Sequence, residues 1–172
     1  MEKVRILLAG LGRMGQSHAS NLVHSIPEAE VVAVCSIVQD ELDWAKKNLG
    51  VQNLYQDFDK MVDEKKGEAD AVYLVTSTDQ HARGIIKGLE SGLHVFCEKP
   101  LGISIKECLE VEEVSKKYPD LNVTLGFVRR YDPSYRYAKE LVDAGKIGKP
   151  FLVKSQTTDD DTTAPFQLKF AK

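Results

Sequence analysis

The hexapeptide GLGRMG, Gly10 to Gly15, follows the apolar run Val4–Ala9 without a break and opens a segment of helical spacing. Three glycines in G-x-G-x-x-G spacing at a strand-to-helix join constrain this chain more than any other feature. Gly10 permits a tight turn, Gly12 lets a ligand approach the backbone, and Gly15 lets helix and strand pack closely. A join of this kind holds a pyrophosphate against the helix N-terminus. A purely structural turn is the plainer alternative for the motif taken alone. Here the motif opens a βαβ pattern at the start of the chain, which favours dinucleotide binding.

The remaining sequence repeats that alternation. Apolar β-rich runs at Val31–Ser36, Asn53–Tyr55, Ala71–Thr76, His94–Glu98 and Val123–Val128 read as further strands. Between them, helical spacing covers Gly15–Ile26 and a segment capped by Asp40 that runs to Leu49 and ends at Gly50. Phe58–Lys66 is a third helix. A fourth starts at Asp79, turns Ile85, Ile86 and Leu89 inward and ends near Gly92. Ser104 and Glu107 have capping-box spacing for a helix reaching Tyr118, and Pro133–Ala144 is a last helix closed by Gly145. The fold class is α/β, a Rossmann-type doubly wound parallel sheet over residues 1–122, with 123–172 beginning a second α/β domain. In that second part Phe151–Gln156 and Phe166–Phe170 have strand patterns. Two short strands alone would be marginal and would leave an edge and an apolar face uncovered.

A formal net charge of -3, with Lys and Arg interspersed among Asp and Glu, argues against nucleic acid and anionic membranes as partners and for a small molecule. Cys35, Cys97 and Cys108 are odd in number and lie in apolar surroundings, as free thiols of a cytoplasmic protein would. No membrane-length apolar run is present.

The glycine fingerprint also calls for an acid about 20 residues on, where the adenosine ribose of NAD donates its hydroxyls. At that place stands Ser36. A serine does not repel a 2′-phosphate and Arg13 could pair with one, so NADP stays open beside NAD; equally, Asp40 or Glu41 could reach the ribose instead. After the fourth strand, Thr76, Ser77 and Thr78 could line the cofactor groove, outside the carboxyl ends of the strands where ligands collect. His81 joins them as a candidate, its plainer reading being a packing histidine. Glu98, Lys99 and Pro100 end the fifth strand beside the same crevice. A lysine held there, partly desolvated beside a substrate hydroxyl, can donate a hydrogen bond and ease proton removal. Its plainer reading is a surface lysine with a glutamate neighbour.

GLGRMG, CEKPLG (Cys97 to Gly102) and GFVRRYDPSYRYAKELVDAGKIGKP (Gly126 to Pro150) together resemble the Gfo/Idh/MocA family of nicotinamide-dependent sugar and polyol oxidoreductases, its myo-inositol 2-dehydrogenase members above all. The resemblance implies that Gly10, Gly12, Arg13, Met14 and Gly15 hold the pyrophosphate, Glu98 lies by the nicotinamide ribose, and Lys99 contacts the reacting hydroxyl. It places Arg129 and Tyr131 near the entrance for a polyol or sugar substrate. It also implies association of copies through the sheet of a second domain, which carries an Asp and a His as general base. This sequence ends at Lys172 with no such pair, so the resemblance implies a truncated chain that binds dinucleotide and turns over little by itself. A non-catalytic dinucleotide sensor or assembly subunit is the alternative. Asp79 stands where many members have proline, which leaves that loop's rigidity open.

Overall fold

The computed structural model describes residues 2–158, so Phe166–Phe170 lies outside the described residues. Among these, residues through Phe127 form one compact unit and those from Val128 another.

The first unit is a parallel sheet of six strands: β1 (Val4–Ala9), β2 (Ala29–Cys35), β3 (Leu54–Tyr55), β4 (Ala71–Leu74), β5 (His94–Cys97) and β6 (Val123–Leu125). Their order is β3-β2-β1-β4-β5-β6, the doubly wound Rossmann arrangement. The direction of winding reverses between β1 and β4, which opens a crevice at the carboxyl ends of those strands. Five helices cover the sheet: α1 (Arg13–His24), α2 (Gln39–Leu49), α3 (Phe58–Lys65), α4 (His81–Glu90) and α5 (Ile105–Ser115).

Period-two alternation along β1 divides its side chains between two cores. Ile6 and Leu8 pack with Ala19, Leu22, Leu42 and Ala45 of α1 and α2. Leu7 and Ala9 pack with Met61, Val62, Ile85 and Leu89 of α3 and α4. Leu7, Leu8, Ile85 and Leu89 are completely buried, each contributing roughly 1.5–3 kcal/mol relative to exposure. This two-sided burial explains why β1 and β4 read as nearly unbroken apolar runs.

Several expected boundaries move. Asp40 is not the cap of α2: the helix begins at Gln39, Val38 stands at the cap without a side-chain bond, and Asp40 lies in the first turn. A 3-10 turn over Thr78–Gln80 precedes α4, which starts at His81 rather than Asp79. Ser104 does cap α5, accepting from the Glu107 amide at 3.2 Å, but the Glu107 carboxylate reaches back to the Ile103 amide at 2.7 Å. The boundary expected after residue 122 falls instead after Phe127, because Val123–Leu125 pairs with Val95–Cys97 as the last strand of the sheet. Phe151–Gln156 forms no strand: the segment has no ladder partner among the described residues, and Phe151 is 98% exposed.

In the second unit, a 3-10 turn (Val128–Arg130) leads to α6 (Pro133–Asp143). Asp132 caps α6, accepting from the amides of Ser134 at 2.9 Å and Tyr135 at 3.3 Å. The Arg129 guanidinium lies 5.0 Å from the Tyr135 ring centre and 3.5 Å from the Asp132 carboxylate.

Candidate functional site

The glycine turn joins β1 to α1 at the point where the winding reverses, and its three glycines do different work. Gly10 has a φ of +91°, and a Cβ there would stand 2.3 Å from the Val75 carbonyl oxygen. A Cβ on buried Gly15 would stand 2.0 Å from the Gly10 carbonyl oxygen, so this glycine seats the helix against its own turn. Gly12 is exposed, and among the described residues nothing lies closer to its Cβ position than Glu41 Oε1 at 3.9 Å. The space a side chain would fill is open, as a cradle for a ligand requires.

Gly12 is also the cap residue of α1. It brings no side-chain bond, and the first turn of α1 holds no acidic residue. The amide end of the helix, with Arg13 and Met14 exposed beside it, is therefore offered to an anion.

At the end of β2, Ser36 is buried, and its hydroxyl donates to Glu41 Oε2 at 2.5 Å and accepts from the Val38 amide at 3.1 Å. At the end of β4, the Val75 amide donates to the Ala9 carbonyl at 2.8 Å. Thr76 Oγ1 is buried with no hydrogen-bond partner among the described residues, and Ser77 is exposed at the start of the 3-10 turn that contains Thr78. The Ser77 hydroxyl and, after it, the Gln80 amide hold the Asp79 carboxyl below the usual carboxylate range.

His81 belongs to the packing rather than to a ligand face. It is 1% exposed, with Nδ1 2.6 Å from the Pro100 carbonyl and Nε2 3.1 Å from the Thr76 carbonyl. Its ring bridges the two loops that leave β4 and β5, which removes it from the surface where a cofactor could touch it.

Glu98 and Lys99 leave the end of β5, and the Lys99–Pro100 peptide is cis. The Glu98 amide is tied to the Leu74 carbonyl at 2.9 Å, and its carboxylate accepts from the Lys99 amide at 3.1 Å. Glu98 Oε1 lies 3.0 Å from Nε2 of His18, whose Nδ1 lies 3.0 Å from the Tyr73 hydroxyl. Burial, and then the Glu98 charge, push the Tyr73 phenol up to about 12, so it stays protonated and can donate. The arrangement that satisfies every group has Tyr73 donating to Nδ1 and Nε2–H donating to Glu98. Tyr73 and Phe96 are register partners on β4 and β5, and their rings stack at 4.0 Å with the His18 ring tilted against both. Lys99 itself is exposed, so the desolvation expected of it is not supplied by the described residues of this unit.

The expected residues of the first unit, Gly10, Gly12, Arg13, Met14, Gly15, Ser36, Thr76, Ser77, Thr78, Glu98 and Lys99, thus all lie at the carboxyl ends of β1, β2, β4 and β5 or at the start of α1. Arg129 and Tyr131 lie in the second unit, both exposed. Sequence reasoning missed His18 and Tyr73. Glu98 is 80 positions from His18, and nothing local in either segment signals the contact.

Burial pushes the Cys35 thiol up to about 11 and the Cys97 thiol to about 12, as inert core thiols behave. Among the described residues no group of His, Cys, Asp and Glu could hold a metal ion, and no helix is long and apolar enough to cross a membrane.

Residues 4–127 match the Gfo/Idh/MocA oxidoreductase family with its NAD-binding Rossmann fold. The chain belongs to this family. It is 38% identical over 157 residues to scyllo-inositol 2-dehydrogenase (NAD(+)) of Bacillus subtilis, covering 91% of this chain and 45% of that protein. Identity to myo-inositol 2-dehydrogenase of Thermotoga maritima is 35% over 156 residues, 91% of this chain and 46% of that one. A crystal structure of scyllo-inositol dehydrogenase from Lactobacillus casei, with bound NAD(H) and scyllo-inositol, superposes with a TM-score of 0.93 at 42% identity. That match covers 99% of this chain and 49% of the other. The chain spans about half the length of the curated relatives it matches. Within the Gfo/Idh/MocA framework, the open Gly12 cradle and uncapped α1 fit the diphosphate of NAD.

Proposed function

We propose that this chain is the NAD-binding part of an inositol-type polyol dehydrogenase. The observation that carries the reading is the meeting of two features: an open glycine cradle on the uncapped helix α1, and a Glu-Lys-Pro turn at the end of β5 whose Glu98 lies 3.0 Å from His18 of that helix. The amides of Gly12, Arg13 and Met14 bind the diphosphate, while Gly10 and Gly15 shape the turn that presents them. Hydroxyls of Ser77 and Thr78 line the groove, with Thr76 beneath them.

When bound, NAD supplies the hydride-accepting ring. Glu98, held by His18, orients the nicotinamide ribose. Lys99 donates a hydrogen bond to the ring hydroxyl of a cyclic polyol and stabilises negative charge that develops on it as its proton passes to a water molecule. Arg129 and Tyr131 serve the substrate side. None of the four histidines is a general base in this scheme: His18 is paired with Glu98, His81 is buried between carbonyls, His94 accepts from the Asn122 amide, and His24 ends α1. A positioned general base is worth about 10²- to 10⁴-fold, so inositol oxidation by this chain alone is slower than that of its relatives by at least ~100-fold. Self-association into a homo-oligomer and a cytoplasmic setting complete the proposal. The setting rests on the free thiols Cys35, Cys97 and Cys108.

The test is NADH binding by the purified chain, followed by NAD reduction with inositol stereoisomers. Saturable NADH binding with weak inositol-dependent reduction, abolished in Lys99→Ala, is expected. A folded chain that does not bind NADH would sink the proposal.

A further inference from the structure

The strand-end acid that would receive the adenosine ribose is absent, yet the position beside the glycine cradle is not without a carboxylate. We propose that Glu41, aimed by the buried Ser36 hydroxyl, receives the adenosine ribose and makes this site select NAD over its 2′-phosphorylated counterpart. The inference rests on the dinucleotide reading above and adds to it the residues that discriminate.

Ser36 is 6% exposed and follows the last residue of β2. Its hydroxyl has both its roles assigned: it accepts from the Val38 amide at 3.1 Å and gives its one proton to Glu41 Oε2 at 2.5 Å. A donor fixed in this way requires an acceptor, and Glu41 Oε2 is the acceptor it finds. The first turn of α2, where Glu41 sits beside Asp40, favours negative charge.

With Oε2 held by Ser36, Oε1 is turned toward the glycine cradle, 3.9 Å from where a Cβ on Gly12 would stand. A carboxylate at that edge accepts hydrogen bonds from the vicinal hydroxyls of a ribose and repels a phosphate esterified at the 2′ position. Ile37, between Ser36 and Val38, is 87% exposed and adds an apolar surface beside the ribose position. Asp40 is exposed but lacks the serine that fixes its neighbour. Arg13 opens α1 directly after Gly12, and a cation there would favour a phosphate, the opposite preference to that of Glu41. The fixed geometry of Glu41 decides the balance. The acid in this site stands not at the strand end but at the third residue of α2.

The experiment is a paired titration of the full chain with NADH and NADPH, read by quenching of Trp44 and by calorimetry. Trp44 lies three positions beyond Glu41 on α2 and is the chain's one tryptophan. The expected result is NADPH binding at least ~100-fold weaker than NADH. In Glu41→Gln, which keeps shape and solubility, the gap narrows to ~10-fold or less through tighter NADPH binding. In Ser36→Ala, NADH weakens roughly fivefold because the carboxylate loses its anchor. Equal affinity for both cofactors in the unaltered chain, or a gap unchanged in Glu41→Gln, would overturn this inference and leave dinucleotide binding standing. A folded chain that binds neither cofactor would overturn the proposed function, and this inference with it.

Discussion

Replacing His18 with alanine removes one imidazole that two other groups depend on. The Glu98 carboxylate, its side chain 18% exposed, loses a charge-assisted bond at 3.0 Å, and the Tyr73 hydroxyl loses its acceptor at 3.0 Å. A bond to a charged group contributes about 1.5–3 kcal/mol and a neutral one about 1 kcal/mol, so His18→Ala should cost the first unit about 3 kcal/mol. For a chain of this size that corresponds to a melting temperature lower by roughly 6–12 °C, read by circular dichroism or calorimetry. Tyr73→Phe alone should cost about 1 kcal/mol, and the double variant should be no worse than His18→Ala, a coupling of about 1 kcal/mol. His18→Gln, which offers a donor and an acceptor at similar reach, should recover about half of the loss. A structural strut would explain these numbers without any role in the site, so a second readout is needed. His18→Ala should weaken NADH several-fold while leaving ADP, which lacks the nicotinamide ribose, nearly unaffected. The reasoning fails if His18→Ala stays within ~0.5 kcal/mol of the unaltered chain, or if its effect simply adds to that of Tyr73→Phe.

The glycines separate by their surroundings. Gly12→Ala, entering open space, should keep the melting temperature and lose most NADH affinity. Gly15→Ala, forced against the Gly10 carbonyl at 2.0 Å, should destabilise by about 3 kcal/mol or more in urea unfolding. Asp70 receives the Arg5 guanidinium and backbone amide, which hold its carboxyl below the usual range. A carboxyl whose folded value is depressed gives stability above its unfolded value, near pH 4, and loses it as pH falls through the folded one. Urea midpoints from pH 5 to pH 2 should therefore fall less steeply in Asp70→Asn than in the unaltered chain. Ser104→Ala should cost about 1 kcal/mol by leaving the Glu107 amide without its cap, measured by thermal unfolding.

What the residues disclose by themselves is the part governed by local rules. β1 shows as an apolar run because it is buried on both faces, and the turn that follows shows because Gly10 and Gly15 stand where no Cβ fits. The end of α6 is legible for a similar reason, since Gly145 takes a φ of +67° just beyond it. Parts decided by tertiary contact are hidden. Val123–Leu125 belongs to the sheet because β5 offers it an edge, which composition does not reveal. His81 sits in a polar, turn-like stretch and reads as a possible groove residue until two carbonyls are seen to enclose it. The sequence offers Asp40 and Glu41 alike as acids within reach of a ribose, and only the Ser36 bond tells them apart. Phe151–Gln156 carries a strand pattern, but a strand needs a neighbour to pair with, and none is present among the described residues.

The most direct check is a map of backbone amide resonances of the 172-residue chain as NADH is added. The largest shifts should fall on Gly12, Arg13 and Met14, with a second group at Glu98 and Lys99, and the first group should vanish in Gly12→Ala. Saturable shifts confined to other surfaces, with the glycine turn and the Glu98–Lys99 turn unmoved, would contradict the account.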